Sequence, residues 1–289
     1  MINDIYKTRS CHACITAALN IYSNNFTKIF RTTWLWILMY SIVCGLLAFT
    51  GFFSAGNSRL AASLQGLAIL VILSAAFILD IRITSSVVAM LNEENIKATG
   101  LKVLKIKLLE IGVSLSIILC AISAIFGVTH IGAMQKLPVT TSIIVITATA
   151  IAVLAIAAII FSPFIYSATK YVLEPGMAFG NVFGISYRAG FRRLGFLFSL
   201  LVVITLIGFT LCLFLCIPAC ITFVACNVDN FGVASGDASG LPSYFAWLNF
   251  ISSSIMAFIM QYMAIWTMLT AFYAYGCVES LNKNITDKH

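Results

Sequence analysis

Six stretches of the chain carry no Asp, Glu, Lys or Arg: residues 32–58, 60–79, 111–135, 138–169, 194–228 and 238–278. Each reaches the ~20 residues that a helix needs to cross the hydrocarbon core of a bilayer. A chain of 289 residues cannot hide six such windows in a water-soluble core. Its composition agrees: 61% of residues are hydrophobic, 9% are charged and the mean hydropathy is +1.03, whereas ordinary soluble domains are about half apolar and a quarter charged. The expected fold is therefore all-α, a polytopic membrane bundle of six transmembrane helices. A membrane β-barrel would need ~10-residue segments alternating apolar and polar, but the run from Leu67 to Leu73 is continuously apolar. The first apolar stretch begins near Thr33, behind a polar lead, with no small-residue cleavage pattern after it, so it is expected to remain as a span and not to be removed as a signal peptide.

Orientation follows from the cations, because Lys and Arg near span ends set topology while Asp and Glu hardly do. Lys7, Arg9, Lys28 and Arg31 precede span one; Lys97, Lys102, Lys105 and Lys107 follow span two; Lys170, Arg188, Arg192 and Arg193 follow span four; Lys283 and Lys288 follow span six. Only Arg59 and Lys136 fall on the opposite side, and Arg82 lies within span two. This distribution predicts both termini in the cytoplasm and three outer loops, near 54–63, 129–139 and 227–243. The net charge of +7 is then a topology signature. It is not a nucleic-acid footprint, since no soluble domain carries it.

The layout reads as three two-span units, 15–93, 96–174 and 176–280, against the alternative of chance similarity among apolar segments. A shift of 161 positions sets Ala17 on Ala178, Asn20 on Asn181, Phe30 on Phe191 and Arg31 on Arg192. The even spans end alike, at Leu91-Asn92-Glu93, Leu173-Glu174-Pro175 and Val278-Glu279-Ser280. Each unit would open with an amphipathic interfacial helix, near 15–31, 96–109 and 176–192. Such a helix dips an apolar face into the headgroup region and offers cations to anionic lipid headgroups on the cytoplasmic side. Read instead as plain connectors, the same segments carry charges that only obey the topology rule. Trp34, Trp36, Trp247, Tyr244, Tyr273 and Tyr275 near span ends fit an aromatic belt.

Within the spans, Asp80 and Arg82 are the charged exceptions. An intramembrane charge is a functional candidate because burying it unpaired costs ~3 kcal/mol or more. Asp80 nevertheless sits ~24 Å along its span at 1.5 Å per residue, near the edge of a ~30 Å core, which suits a paired or snorkelling residue. The competing reading is a polar cavity facing the cytoplasm: aligning the even spans on their ends sets Asp80 level with Ser162 and Thr267, with Pro163 expected to kink span four. Gln261, Asn249 and Ser252-Ser253-Ser254 in span six suit interhelical hydrogen bonds, and Gln261 joins Asp80, Arg82, Ser162 and Thr267 as a cavity candidate.

Cys11-His12-Ala13-Cys14 has the spacing of half a zinc site but no second ligand pair, and no βαβ pattern surrounds it. Cys212, Cys216 and Cys220 recur every four residues on one face of span five; they read as small apolar helix residues, with a Cys220–Cys226 disulfide as the alternative in an oxidising compartment. The sequence contains no phosphate-binding glycine loop, no His-Glu-x-x-His and no nucleophile elbow. No catalytic residue, metal site or cofactor is therefore expected.

The run Tyr171-Val172-Leu173-Glu174-Pro175-Gly176, followed by Ala178, Ser186 and Arg192-Arg193-Leu194-Gly195 at the entrance to an apolar span, resembles bacterial six-span proteins. These include the membrane domain of membrane-anchored glycerophosphodiester phosphodiesterases. The catalytic barrel is absent, so catalysis does not carry over, and the resemblance implies a stand-alone six-helix module with a role in lipid handling or membrane organisation; compactness and short loops point to a bacterial inner membrane. Three functions compete: a non-catalytic scaffold that binds a protein partner or a second copy of itself, a transporter or lipid-handling protein using a cavity near Asp80, and an intramembrane enzyme. The last would need clustered acid, base or metal groups that the spans do not offer.

Overall fold

A computed structural model describes residues 5–52, 59–92, 96–134, 138–174, 176–236, 240–242 and 244–286. Among these residues the structure is almost entirely helical and contains no strand. The helices are α1 (Cys11–Asn24), α2 (Phe26–Phe52), α3 (Arg59–Asn92), α4 (Ile96–Met134), α5 (Val139–Leu173), a 3-10 turn (Phe179–Val182), α6 (Ile185–Phe191), α7 (Leu194–Ala234) and α8 (Phe245–Thr286). Six of them, α2, α3, α4, α5, α7 and α8, are long and apolar enough to cross a membrane. The protein is thus an all-α, multi-pass membrane protein.

The helices run into all three segments expected as loops. α3 is already helical at Arg59, α4 persists to Met134 and α7 to Ala234, where Gly236 takes a positive φ of 99° and its N–H closes on the Val233 carbonyl at 3.1 Å. A left-handed glycine just past the last turn is the usual way to end a helix whose sequence offers no earlier stop. The rest of those loops, 53–58, 135–137, 237–239 and 243, lies outside the described residues, as do Glu93, Pro175 and the side chains of Arg59, Lys136, Lys283 and Lys288.

The expected interfacial segments fare differently. α1 is a separate helix, divided from α2 at Asn25, whose side-chain amide donates to the Ile21 carbonyl at 3.0 Å; an Asn that satisfies backbone acceptors with its own side chain favours a break. Residues 96–109 are not set off at all, because no proline interrupts them and the Leu, Lys and Ile after Gly100 favour helix, so α4 runs straight through. In 176–192 the chain forms only the 3-10 turn and the seven-residue α6. Pro175 forces its predecessor out of helical geometry, so Glu174 is extended at φ −87°, ψ 123°, and Gly176 follows with φ 83°.

Residue contacts group the chain into two compact units, one of Met1–Ile15, Lys97–Val203 and Ala271–His289, the other of Thr16–Ile96 and Ile204–Thr270. In the second unit, Ile29 and Ile37 of α2, Ile83 and Val87 of α3, and Tyr262 and Ile265 of α8 form a buried cluster. α8 approaches α2 closely at Gly45, where an added Cβ would lie 2.9 Å from the Phe250 carbonyl oxygen. Close backbone approach at a small residue is how membrane helices gain packing without a hydrophobic drive between them. In the first unit, Gly190 of α6 sits against Pro163 and Tyr166 of α5, a Cβ there meeting the Pro163 carbonyl oxygen at 3.1 Å.

Leu67 and Leu70 of α3, Phe126 of α4, Leu154 of α5 and Phe214 of α7 are exposed, as lipid contact requires. Hydroxyls on the same helices turn inward to their own backbone: Ser74 to Leu70, Ser116 to Gly112, Thr149 to Val145 and Thr210 to Leu206, at 2.8–2.9 Å. A hydroxyl in hydrocarbon has no water to bond, and the carbonyl four residues back is the acceptor always in reach.

Candidate functional site

The densest polar grouping lies in the first unit, where the ends of α5 and α8 meet. Lys170 and Glu174 are one turn apart on α5, and Glu279 stands on the last turns of α8. The Lys170 ammonium donates to Glu279 Oε1 at 2.6 Å and lies 3.6 Å from Glu174 Oε1. Side-chain exposures of 21% for Lys170 and 14% for Glu279 take the pair out of the range in which surface ion pairs contribute nothing. Two tyrosines complete the carboxylates. Tyr166 donates its hydroxyl to Glu279 Oε1, and Tyr275 donates to Glu174 Oε1 at 2.6 Å. Their rings lie 5.7 Å apart, and Tyr6 meets Tyr275 edge-on at 6.1 Å. One cation thus serves two carboxylates, and each carboxylate is also held by a phenol.

The C-terminal end of α5 is finished by α4. Lys102 Nζ donates to the Glu174 carbonyl at 3.3 Å, and Lys105 stands over the Phe179 ring at 5.9 Å. A helix ends with unsatisfied carbonyls and a partial negative charge, which an ammonium group answers. These two lysines therefore face protein, where the sequence reading had them offered to headgroups. α6 holds the other side: Tyr187 donates to the Ile160 carbonyl at 3.1 Å, in the turn before Pro163, and Ser167 donates to the Val182 carbonyl. Burial pushes the Tyr187 phenol up.

The N-terminal segment docks on the same end of α8. Ile5 packs so closely on Gly276 that a Cβ would lie 2.7 Å from the Ile5 carbonyl carbon. Cys277 Sγ lies 3.2 Å from both the backbone nitrogen and the carbonyl oxygen of Arg9, whose guanidinium stands 5.0 Å over the Tyr273 ring. Cys14 is buried beside Cys277, and that contact, together with burial, pushes its thiol up. Cys11 instead meets Ser199 Oγ at 3.0 Å, so the two cysteines of the Cys-x-x-Cys pair have different partners. Tyr273 and Tyr275 are buried in these contacts and are not part of an aromatic belt, whereas Trp34, Trp247 and Tyr244 are exposed as a belt requires.

Of the residues singled out from sequence, Asp80 and Gln261 come together in the second unit: the Gln261 amide of α8 donates to Asp80 Oδ1 of α3 at 3.0 Å. Arg82 is exposed, its guanidinium 5.4 Å over the Trp36 ring. Thr267 donates to the Ala264 carbonyl at 2.8 Å. Ser162 belongs to the first unit and donates to the Ala158 carbonyl at 2.8 Å. Asn249 bridges two helices, accepting from Thr222 of α7 at 2.9 Å and donating to the Ala48 carbonyl of α2 at 3.0 Å.

All nine cysteines are free thiols. A Cys220–Cys226 bridge is incompatible with α7: six residues of unbroken helix separate the two by ~9 Å along the axis and about 120° around it, beyond disulfide reach. Sequence reasoning noticed Glu174 and Glu279 only as matching span ends, Lys170 only as a topology cation and Tyr275 only as a belt residue, and passed over Tyr166. The available signal was a Lys one turn before the Glu of a span end, which asks for a second acid.

Set against profiles of known protein families, curated proteins and solved structures, the chain matches none of them.

Proposed function

We propose that this protein is a non-catalytic module of a bacterial inner membrane, both termini cytoplasmic, that works by holding a protein partner or a second copy of itself. The carrying observation is that the polar side chains of its helices are engaged with one another: Asp80 with Gln261, Asn249 with Thr222 and Ala48, and Lys170 with Glu279 and Glu174. Groups committed to helix packing fix a shape and stand ready for no substrate. Lys28, Arg31, Arg188 and Arg192 are exposed and suit anionic headgroups. Purification in native lipid with mass spectrometry of what accompanies the chain tests this reading. A stoichiometric protein or a defined homo-oligomer is expected, and a monomer accompanied only by bulk lipid overturns it.

The second reading, transport or lipid handling, draws on Asp80, a half-buried carboxyl on an apolar helix. In a cysteine-free background, cysteines placed at 80, 162 and 267 that all react with a polar thiol reagent favour it. Unreactive positions, together with normal abundance of Asp80→Ala, remove it.

A further inference from the structure

The sulfurs of the second unit are placed in a way that packing alone does not call for. Cys212 and Cys216, one turn apart on α7, have their Sγ atoms 3.3 Å from each other. Cys216 Sγ is in turn 3.4 Å from Sδ of Met256 on α8. Three soft donors from two helices therefore form one continuous sulfur contact. Met256 is half-buried on α8. Among the described residues no three His, Cys, Asp or Glu side chains could hold a metal together, so the third donor beside the two thiols is the thioether.

We propose that Cys212, Cys216 and Met256 form a binding site for a soft monovalent cation, Cu(I) or its analogue Ag(I). Thiolate and thioether ligands select such ions, while Zn(II) favours four-coordinate thiolate and imidazole sets and Mg(II) and Ca(II) take oxygen. With metal–sulfur bonds of about 2.3 Å, a trigonal site sets its sulfurs about 4.0 Å apart. The sulfurs must therefore spread by about 0.6–0.7 Å, which Cys χ1 and the three torsions of Met allow. Binding is ligand exchange without change of oxidation state: one of the two thiols releases its proton to solvent as its sulfur bonds the ion, and the other binds as the thiol. One thiolate neutralises the ion's single charge, which a low-dielectric setting requires, and the second cysteine, kept as a neutral thiol, and the thioether complete the coordination.

The test uses the full chain in lipid nanodiscs, reduced, loaded with Ag(I), then desalted against a competing chelator. Wild type is expected to retain one equivalent more silver than Cys212→Ser/Cys216→Ser, and to release one proton per ion on loading in weak buffer. Cys11→Ser/Cys14→Ser/Cys277→Ser should keep that equivalent. Met256→Leu conserves volume and should bind about tenfold more weakly, which keeps the proposal open to refutation even if the double serine variant does not fold. Equal retention by wild type and the double variant, unchanged affinity in Met256→Leu, or preferential retention of Zn(II) each overturns the proposal.

Discussion

Lys170 is the residue whose removal the first unit should tolerate least. Replacing it by Met keeps most of the aliphatic volume and deletes the ammonium that lies 2.6 Å from Glu279 and 3.6 Å from Glu174. The two carboxylates, which cannot be farther apart than about 6 Å by these distances, then face each other with only phenols between them. At an effective dielectric of about 20, two like charges at that separation repel by roughly 2–3 kcal/mol. Breaking a fully buried pair costs about 3–5 kcal/mol and a surface pair hardly anything, so a half-buried cluster places Lys170→Met near 3 kcal/mol. Glu279→Gln should cost less, about 1–2 kcal/mol, because the amide still accepts from Tyr166 and Lys170 keeps Glu174. The double variant should cost no more than Lys170→Met, a coupling of about 1–2 kcal/mol that unfolding in mixed micelles can measure. Additive effects, or a Lys170→Met cost under about 0.5 kcal/mol, would refute the reasoning by showing that water already screens the cluster.

Gly276→Val drives a side chain into the Ile5 backbone, and trypsin should then cut at Lys7 and Arg9 faster than in wild type; an unchanged cleavage rate means that the N-terminal segment does not dock there. Asn249→Leu removes the two hydrogen bonds that tie α8 to α7 and α2, leaving the Thr222 hydroxyl to the Ala219 carbonyl of its own helix at 2.9 Å, and is expected to cost about 1–3 kcal/mol in the same micelle assay. Gln261→Leu leaves Asp80 without its 3.0 Å donor, and Asp80→Leu added to it should recover part of the loss; a further loss counts against the pair. Burial pushes Tyr22 up to about 12 from the ordinary phenol value of 10.0. The neutral phenol is thus favoured in the folded chain, and its contribution is present below pH 10 and lost as pH rises from 10 towards 12. Tyr22→Phe should lose less stability across that interval than wild type does, and equal slopes would sink the assignment.

Much of the architecture was legible because hydrocarbon is an unforgiving solvent: a span must exclude charge over ~20 residues, and that shows in the sequence before any contact is known. The helix ends were harder. α4 swallowed the segment at 96–109 because nothing in Ile96 to Leu109 tells a headgroup helix from the start of a span. α7 outran its expected loop because only Gly236 stops it. Tyr273 and Tyr275 look like belt residues by position, and only the docking of Tyr6 and Arg9 shows that they are buried.

The candidate sites divide in the same way. Asp80 could be picked out because an acid among apolar residues is conspicuous, but its partner Gln261 lies 181 positions away, and sequence could at most mark the two as wanting partners. Lys170 and Glu279, 109 positions apart, each looked like an ordinary polar residue at a span end. Patterning by itself determined that this chain is a six-span helical membrane protein, since period and charge are local properties that a bilayer reads segment by segment. Which cation meets which acid, and which cysteine meets which methionine, was decided only by tertiary packing. Those pairings depend on how helices distant in sequence rotate and slide against one another, and no local property of the chain encodes that.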